Sequence, residues 1–161
     1  MYLVLASSAR QVPAWPGTEP EAWIQPAGED GTPSAPAVVV PAGTLSDAVR
    51  RLDAPAVRWV WDGTREHYLP LLRAGVTVGR CHDLARSRAI LALSEFVPRS
   101  PYILGLQDAA PEQEPATVQP EQSALFEARR AGRPLEDLVE ELGRQLAAVA
   151  ASPPPARLRL L

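Results

Sequence analysis

The chain has no lysine, one cysteine, one methionine and two histidines in 161 residues. The single thiol, Cys81, excludes an internal disulfide and suits a reducing compartment. All sixteen basic residues are arginine. With eighteen prolines and abundant alanine, this bias fits a GC-rich genome and carries no mechanism. No segment approaches the ~18 uninterrupted apolar residues of a membrane-spanning helix. The opening run, Met1 to Ala9, lacks a basic n-region, and its apolar stretch is about five residues where a secretion signal needs at least ~7. A cytoplasmic location is therefore expected. There is no Ser–His–Asp pattern, no phosphate-cradling glycine loop and no paired-cysteine motif.

Apolar residues make up 46% and charged residues 22%, the composition of a soluble globular domain long enough to build a core. The net charge is −3 and the isoelectric point about 5.4, so the domain as a whole is no electrostatic funnel for nucleic acid. Phosphate binding by the isolated chain should be weak.

The pattern predicts a short opening strand over 2–6, a second over 22–25 inside a Pro-, Gly- and acid-rich stretch, and a third over 37–40 ended by Pro41. Thr44 then caps a helix over 45–52, with Asp47 placed favourably for the dipole. Val57 to Trp61 is β-branched and aromatic and reads as a strand. Asp62 or Thr64 can cap the following helix, which runs to Ala74 with Tyr68, Leu71 and Leu72 on one face. Pro70 within it predicts a late start or a kink, and Gly75 a C-terminal stop. Val76 to Arg80 alternates as a strand, and Asp83 caps a helix to Phe96. Residues 97–122 are proline-rich and acidic and read mostly as loop or linker. Two helices follow, 123–131 and 135–151, with Pro134 opening the second. Its apolar stripe is Leu135, Leu138, Val139, Leu142, Leu146 and Val149, with Glu136, Asp137, Glu140 and Glu141 mostly outside it. Arg157-Leu-Arg-Leu-Leu161 ends on an apolar run, which reads as a chain cut where a further element begins.

The segment Val57-Arg-Trp-Val-Trp-Asp-Gly-Thr-Arg-Glu-His-Tyr-Leu-Pro-Leu-Leu-Arg-Ala-Gly-Val-Thr-Val-Gly-Arg-Cys-His-Asp-Leu-Ala-Arg-Ser-Arg-Ala-Ile-Leu91 resembles the exonuclease-like region of the actinobacterial bifunctional 3′–5′ exonuclease/DNA polymerase, a family A polymerase. The resemblance resumes at Gly132-Arg-Pro-Leu-Glu-Asp-Leu-Val139 and at Arg144-Gln-Leu-Ala-Ala-Val-Ala-Ala-Ser152, covering about a third to a half of the chain in the same order. It implies an α/β fold: a ribonuclease-H-like (DEDD exonuclease-like) mixed sheet with flanking helices, degenerate and truncated. It also implies an exonuclease-like core over 1–96, the linker over 97–122, and C-terminal helices over 123–161 leading toward a polymerase region absent from this sequence.

Catalytic members of that fold use four carboxylates to hold two divalent metals, one generating hydroxide and the other stabilising the leaving oxygen. The first two acids stand on the opening strand; here it reads Tyr-Leu-Val-Leu-Ala-Ser, with no acid before Glu19. The third aligns with His67, a nitrogen ligand poorly suited to magnesium. Asp83 falls on a family-typical aspartate that starts a helix. The fourth acid would lie at or beyond Leu161. The resemblance therefore implies a vestigial site at His67, no catalytic residue, no metal, and no cofactor for this piece, with Mg²⁺ belonging to the parent polymerase. DNA would be met only through that parent, whose polymerase domain is the expected partner; no membrane is involved.

Single features have plainer readings beside the functional ones. Cys81-His82-Asp83 lacks the ligand spacing of a zinc site and reads as a strand end with a helix cap. Trp59 and Trp61 share one strand face and read as core rather than a base-stacking platform. Arg80, Arg86 and Arg88 could touch phosphates, but read as a solvated face. The acids from Glu136 to Glu141 read as helix-dipole and solubility residues. The acids Glu19, Glu21, Glu29 and Asp30 fall on an expected loop and are not preorganised for metal. Two rivals stand beside the inactive domain. In one, Asp62 and Glu66 beside His67 rebuild a metal site for 3′ cleavage of single strands. In the other, the chain is a free-standing interaction module, which reading the gene past Leu161 would decide.

Overall fold

Five strands form one mixed sheet in the order β3-β2-β1-β4-β5. The computed structural model describes residues 1–7, 21–109 and 133–153. The strands are β1 (Tyr2–Ser7), β2 (Glu21–Ala27), β3 (Val38–Pro41), β4 (Arg58–Trp61) and β5 (Cys81–Asp83). β1 pairs antiparallel with β2, with Tyr2 opposite Ala27 and Ser7 opposite Ala22, and β2 pairs antiparallel with β3. β1 runs parallel to β4, and β4 parallel to β5. Among the described strands, β2 alone thus runs against the rest.

Among the described residues the helices are α1 (Leu45–Leu52), α2 (Thr64–Arg73), α3 (Leu84–Leu93), α4 (Pro101–Ala109) and α5 (Leu135–Ala151). Alternation along the strands splits the core into two layers. Leu3, Leu5, Trp59 and Trp61 face α1 and α2 and pack with Val49 and Leu71. Val4, Ala6 and Val60 face the other way and pack with Leu84, Leu138 and Leu142 of α3 and α5. A third cluster, Leu91, Val97 and Ile103, joins α3 to α4.

Several elements depart from their sequence patterns. The predicted strand over 76–80 is a connection; the strand is Cys81–Asp83. Val76 is buried against the α1/α2 layer, so its apolar character reflects packing without a ladder. The predicted helix to Phe96 ends at Leu93. Within 97–122, α4 stands where composition reads as loop. Ser100 Oγ accepts from Ile103 N at 3.2 Å, Pro101 supplies a first turn needing no donor, and Ile103 is buried. The predicted helix over 123–131 and the apolar ending over 157–161 lie outside the described residues.

α2 starts at Thr64 and continues through Pro70, which forfeits only the Pro70 donor. Of its predicted apolar face, Leu71 is buried while Leu72 is 44% exposed. Neither Asp62 nor Thr64 caps it; Gly63 sits at the cap position with φ 101°, a conformation suited to glycine. Gly31, at φ 84°, lets the β2–β3 turn press on α5: a Cβ there would lie 2.8 Å from Gly143 Cα. That close approach fixes α5 across β1 and β2.

Candidate functional site

The polar side chains gather on the α3/α5 layer, beside β4 and β5. Asp62 follows β4 directly and is reached by Arg88 of α3, whose Nη2 donates to Asp62 Oδ1 at 2.5 Å. Arg88 Nη1 lies 3.5 Å from Glu141 Oε1 of α5. Glu141 Oε1 also accepts from Tyr102 Oη and from Gln145 Nε2, both at 2.7 Å. Gln145 is fully buried and donates to Leu84 O at 3.0 Å as well. Both its amide donors are thereby used, so its Oε1 accepts from His82 Nε2 at 2.8 Å, which assigns the His82 tautomer. Six polar side chains from five segments thus form one connected network.

Its electrostatics follow from burial and pairing. Burial alone would lower the Arg88 pKa, but the Asp62 and Glu141 carboxylates outweigh it and hold the guanidinium charged. Burial, then the hydrogen bond to Glu141, push the Tyr102 phenol up. Burial lowers His82 against the opposing pull of its Gln145 hydrogen bond. A cavity of about 20 Å³ beside Tyr2, Arg58, His82 and Gln145 offers room for one water.

The residues singled out by sequence do not converge. His67 lies on α2, stacked at 6.4 Å and 18° on Trp61, which belongs to the α1/α2 layer. Burial lowers its pKa, against the carboxylates Glu66, Asp62 and Asp83. Glu66 is exposed, with its carboxylate over Gly63. Asp62 turns to the opposite layer, toward Arg88. Among the described residues no group of three His, Cys, Asp or Glu side chains is placed to hold a metal ion.

Trp59 and Trp61 are completely buried, with indole donors satisfied by Asp53 Oδ1 at 3.0 Å and Thr64 Oγ1 at 3.1 Å. Asp83 caps α3 by accepting from Arg86 N at 3.0 Å. Its other oxygen accepts from Thr64 N at 2.7 Å and Thr64 Oγ1 at 2.6 Å, so the same carboxylate also caps α2 from a neighbouring strand. Burial alone would raise the Asp83 pKa, but these hydrogen bonds outweigh it and the net shift is downward. Cys81 is exposed on the edge strand.

Two sequence readings are corrected. Arg88 is not part of a solvated face: its side chain is 25% exposed and ion-paired twice. Glu141 is not a solubility residue: it is 5% exposed. Its signal was present, because it stands three residues after Leu138 and four before Gln145, on the buried stripe itself.

The C-terminal ends of β1 and β4 do not fit the magnesium pair that the resemblance implies for catalytic members. Ala6 and Ser7 end β1, beside a cleft of about 270 Å³ also lined by Trp23, Arg133, Pro134, Leu135 and Glu136. Neither residue ending β1 offers an anionic ligand there, and Asp62 is already neutralised. No helix among the described residues is long and apolar enough to cross a membrane. No protein-family model, curated protein or solved structure matches the chain.

Proposed function

We propose that this chain is a degenerate, non-catalytic 3′–5′ exonuclease-like domain of the ribonuclease-H-like class, from the amino-terminal part of an actinobacterial family A DNA polymerase. Its work is structural support of the polymerase module in DNA replication and repair, in the cytoplasm. DNA and Mg²⁺ are engaged by the parent chain. The strand order β3-β2-β1-β4-β5, with β2 alone reversed, supports the fold assignment. The observation that supports the inactive reading is the composition of β1: no residue of Tyr2–Ser7 carries a carboxylate, and Asp62 beyond the neighbouring β4 is held by Arg88. Alanine and serine supply no negative charge to offset a dication.

A nuclease assay on single-stranded DNA with Mg²⁺ or Mn²⁺ tests this. The expected result is no nucleotide release above buffer, unchanged by Asp62→Ala. Turnover that Asp62→Ala abolishes would contradict the proposal and favour a rebuilt site.

A further inference from the structure

Donor groups without partners collect at one place on the sheet. Ser7 ends β1, Trp23 stands on β2 opposite Ala6, and Arg133 leads into α5; all three line the cleft of about 270 Å³. The guanidinium of Arg133, the indole N–H of Trp23 and the hydroxyl of Ser7 have no hydrogen-bond or ion-pair partner among the described residues. Elsewhere such groups are closed. Trp59 and Trp61 donate to Asp53 and Thr64, and Arg50, Arg88 and Arg144 each meet a carboxylate. Arg133, Trp23 and Ser7 are half-buried, so their free donors open on the cleft instead of being stranded in the core. Acid is scarce there: of the lining residues only Glu136 is anionic, and it is exposed.

A half-desolvated guanidinium without a counter-ion favours an anion, and its planar fork matches two oxygens of a phosphoryl group. The Ser7 hydroxyl adds a neutral donor, while Trp23, Ala6 and Leu135 supply an apolar wall. Such a lining repels a cation and suits one compact anion on an apolar body. Size and charge both argue against a polymer strand. The volume falls just under the ~300 Å³ at which pockets for drug-sized ligands begin, and a net charge of −3 disfavours a polyanion. We infer that this cleft binds a small phosphate monoester directly, without a metal, with Arg133 and Ser7 on the phosphoryl oxygens and Trp23 beside the organic body. α5 starts at the same wall with no side-chain cap, which adds backbone donors to a site that the side chains define. These groups converge whether or not the chain belongs to a polymerase.

The test titrates the isotope-labelled 161-residue chain with phenyl phosphate, read by nuclear magnetic resonance. The Trp23 indole resonance, identified by its loss in Trp23→Phe, should shift and saturate with a Kd of about 1 mM or below. The indoles of Trp59 and Trp61, closed by Asp53 and Thr64, should stay in place. Inorganic phosphate and phenol should each bind at least about fivefold more weakly, because each keeps half of the contacts. Arg133→Ala should weaken phenyl phosphate about tenfold or more. Should that variant lose its helical signal, Arg133→Gln is read in its place. Glu136→Gln, which removes the one opposing charge, should tighten binding about twofold. Arg86→Ala, on the exposed side of α3 and away from the cleft, should change nothing. No saturable shift by about 10 mM, equal weakening by Arg86→Ala, or inorganic phosphate binding as tightly as phenyl phosphate overturns the inference.

Discussion

The two faces of the sheet are built on different principles. On the α1/α2 side, strand residues Leu3, Leu5, Trp59 and Trp61 supply apolar mass, and each indole donor is satisfied by a short local bond to Asp53 or Thr64. On the α3/α5 side the buried apolar cluster is smaller and holds no fully buried aromatic ring. A network of Asp62, Arg88, Glu141, Tyr102, Gln145 and His82 binds the helices there. The first face holds by area removed from water, which is non-directional. The second holds by directed contacts whose members depend on one another, so its register on the sheet is specific and losing one member strands the others.

The largest effect should come from the apolar face. Trp61→Ala removes a completely buried ring and the stacking surface of His67 and Tyr68, and should cost about 3–5 kcal/mol in denaturant melts. A loss under about 1 kcal/mol would mean that this face does not carry the fold as described. Next comes Glu141→Ala, which leaves Arg88 with Asp62 alone and frees Tyr102 and Gln145. It should cost about 2–3 kcal/mol, below the value for a fully buried pair because Arg88 is a quarter exposed. Glu141→Gln retains the acceptor and should cost less. If both substitutions cost the same, the charge that both remove, and not the acceptor that glutamine keeps, is what binds this face.

The smallest effect is in acid. His67 on one face and His82 on the other both have pKa values lowered from 6.5, by burial first. Each binds a proton more readily in the unfolded chain. Their stabilising contribution is therefore present above pH 6.5 and lost as pH falls toward their folded values. Chemical melts across that range should show stability declining with acidification, and His82→Gln should flatten the slope. A slope of opposite sign would contradict the burial of both rings.

Legibility in the sequence divides along the same line. Local signals placed α1 and α5 at their observed bounds, α5 by its 3.6-residue apolar period, although the capping role read for Thr44 fails: its hydroxyl donates to Pro41 O at 3.0 Å and makes no cap bond to α1. The burial of Trp59 and Trp61 followed from the two-residue period of a strand. The strand over 81–83 was hidden because Val76 and Val78 alternate for packing, while Cys81 and His82 carry little β signal. The helix over 101–109 was hidden by surrounding prolines. The polar network was least legible: Asp62, Arg88 and Glu141 are far apart in sequence, and each is an ordinary surface residue type until the fold removes water from it. The second role of Asp83, capping α2 across from β5, is likewise a product of the parallel pairing of β4 and β5.

The central claim is that Asp62, the carboxylate that follows β4, is ion-paired with Arg88 and that β1 beside it carries no acid, leaving too few anionic ligands to hold a metal pair. Titrating the wild-type chain with Mn²⁺, read by electron paramagnetic resonance, tests it most directly. The account predicts that the ion stays free at millimolar concentration and that Asp62→Asn changes nothing. Two bound Mn²⁺ per chain, lost on Asp62→Asn, would contradict it.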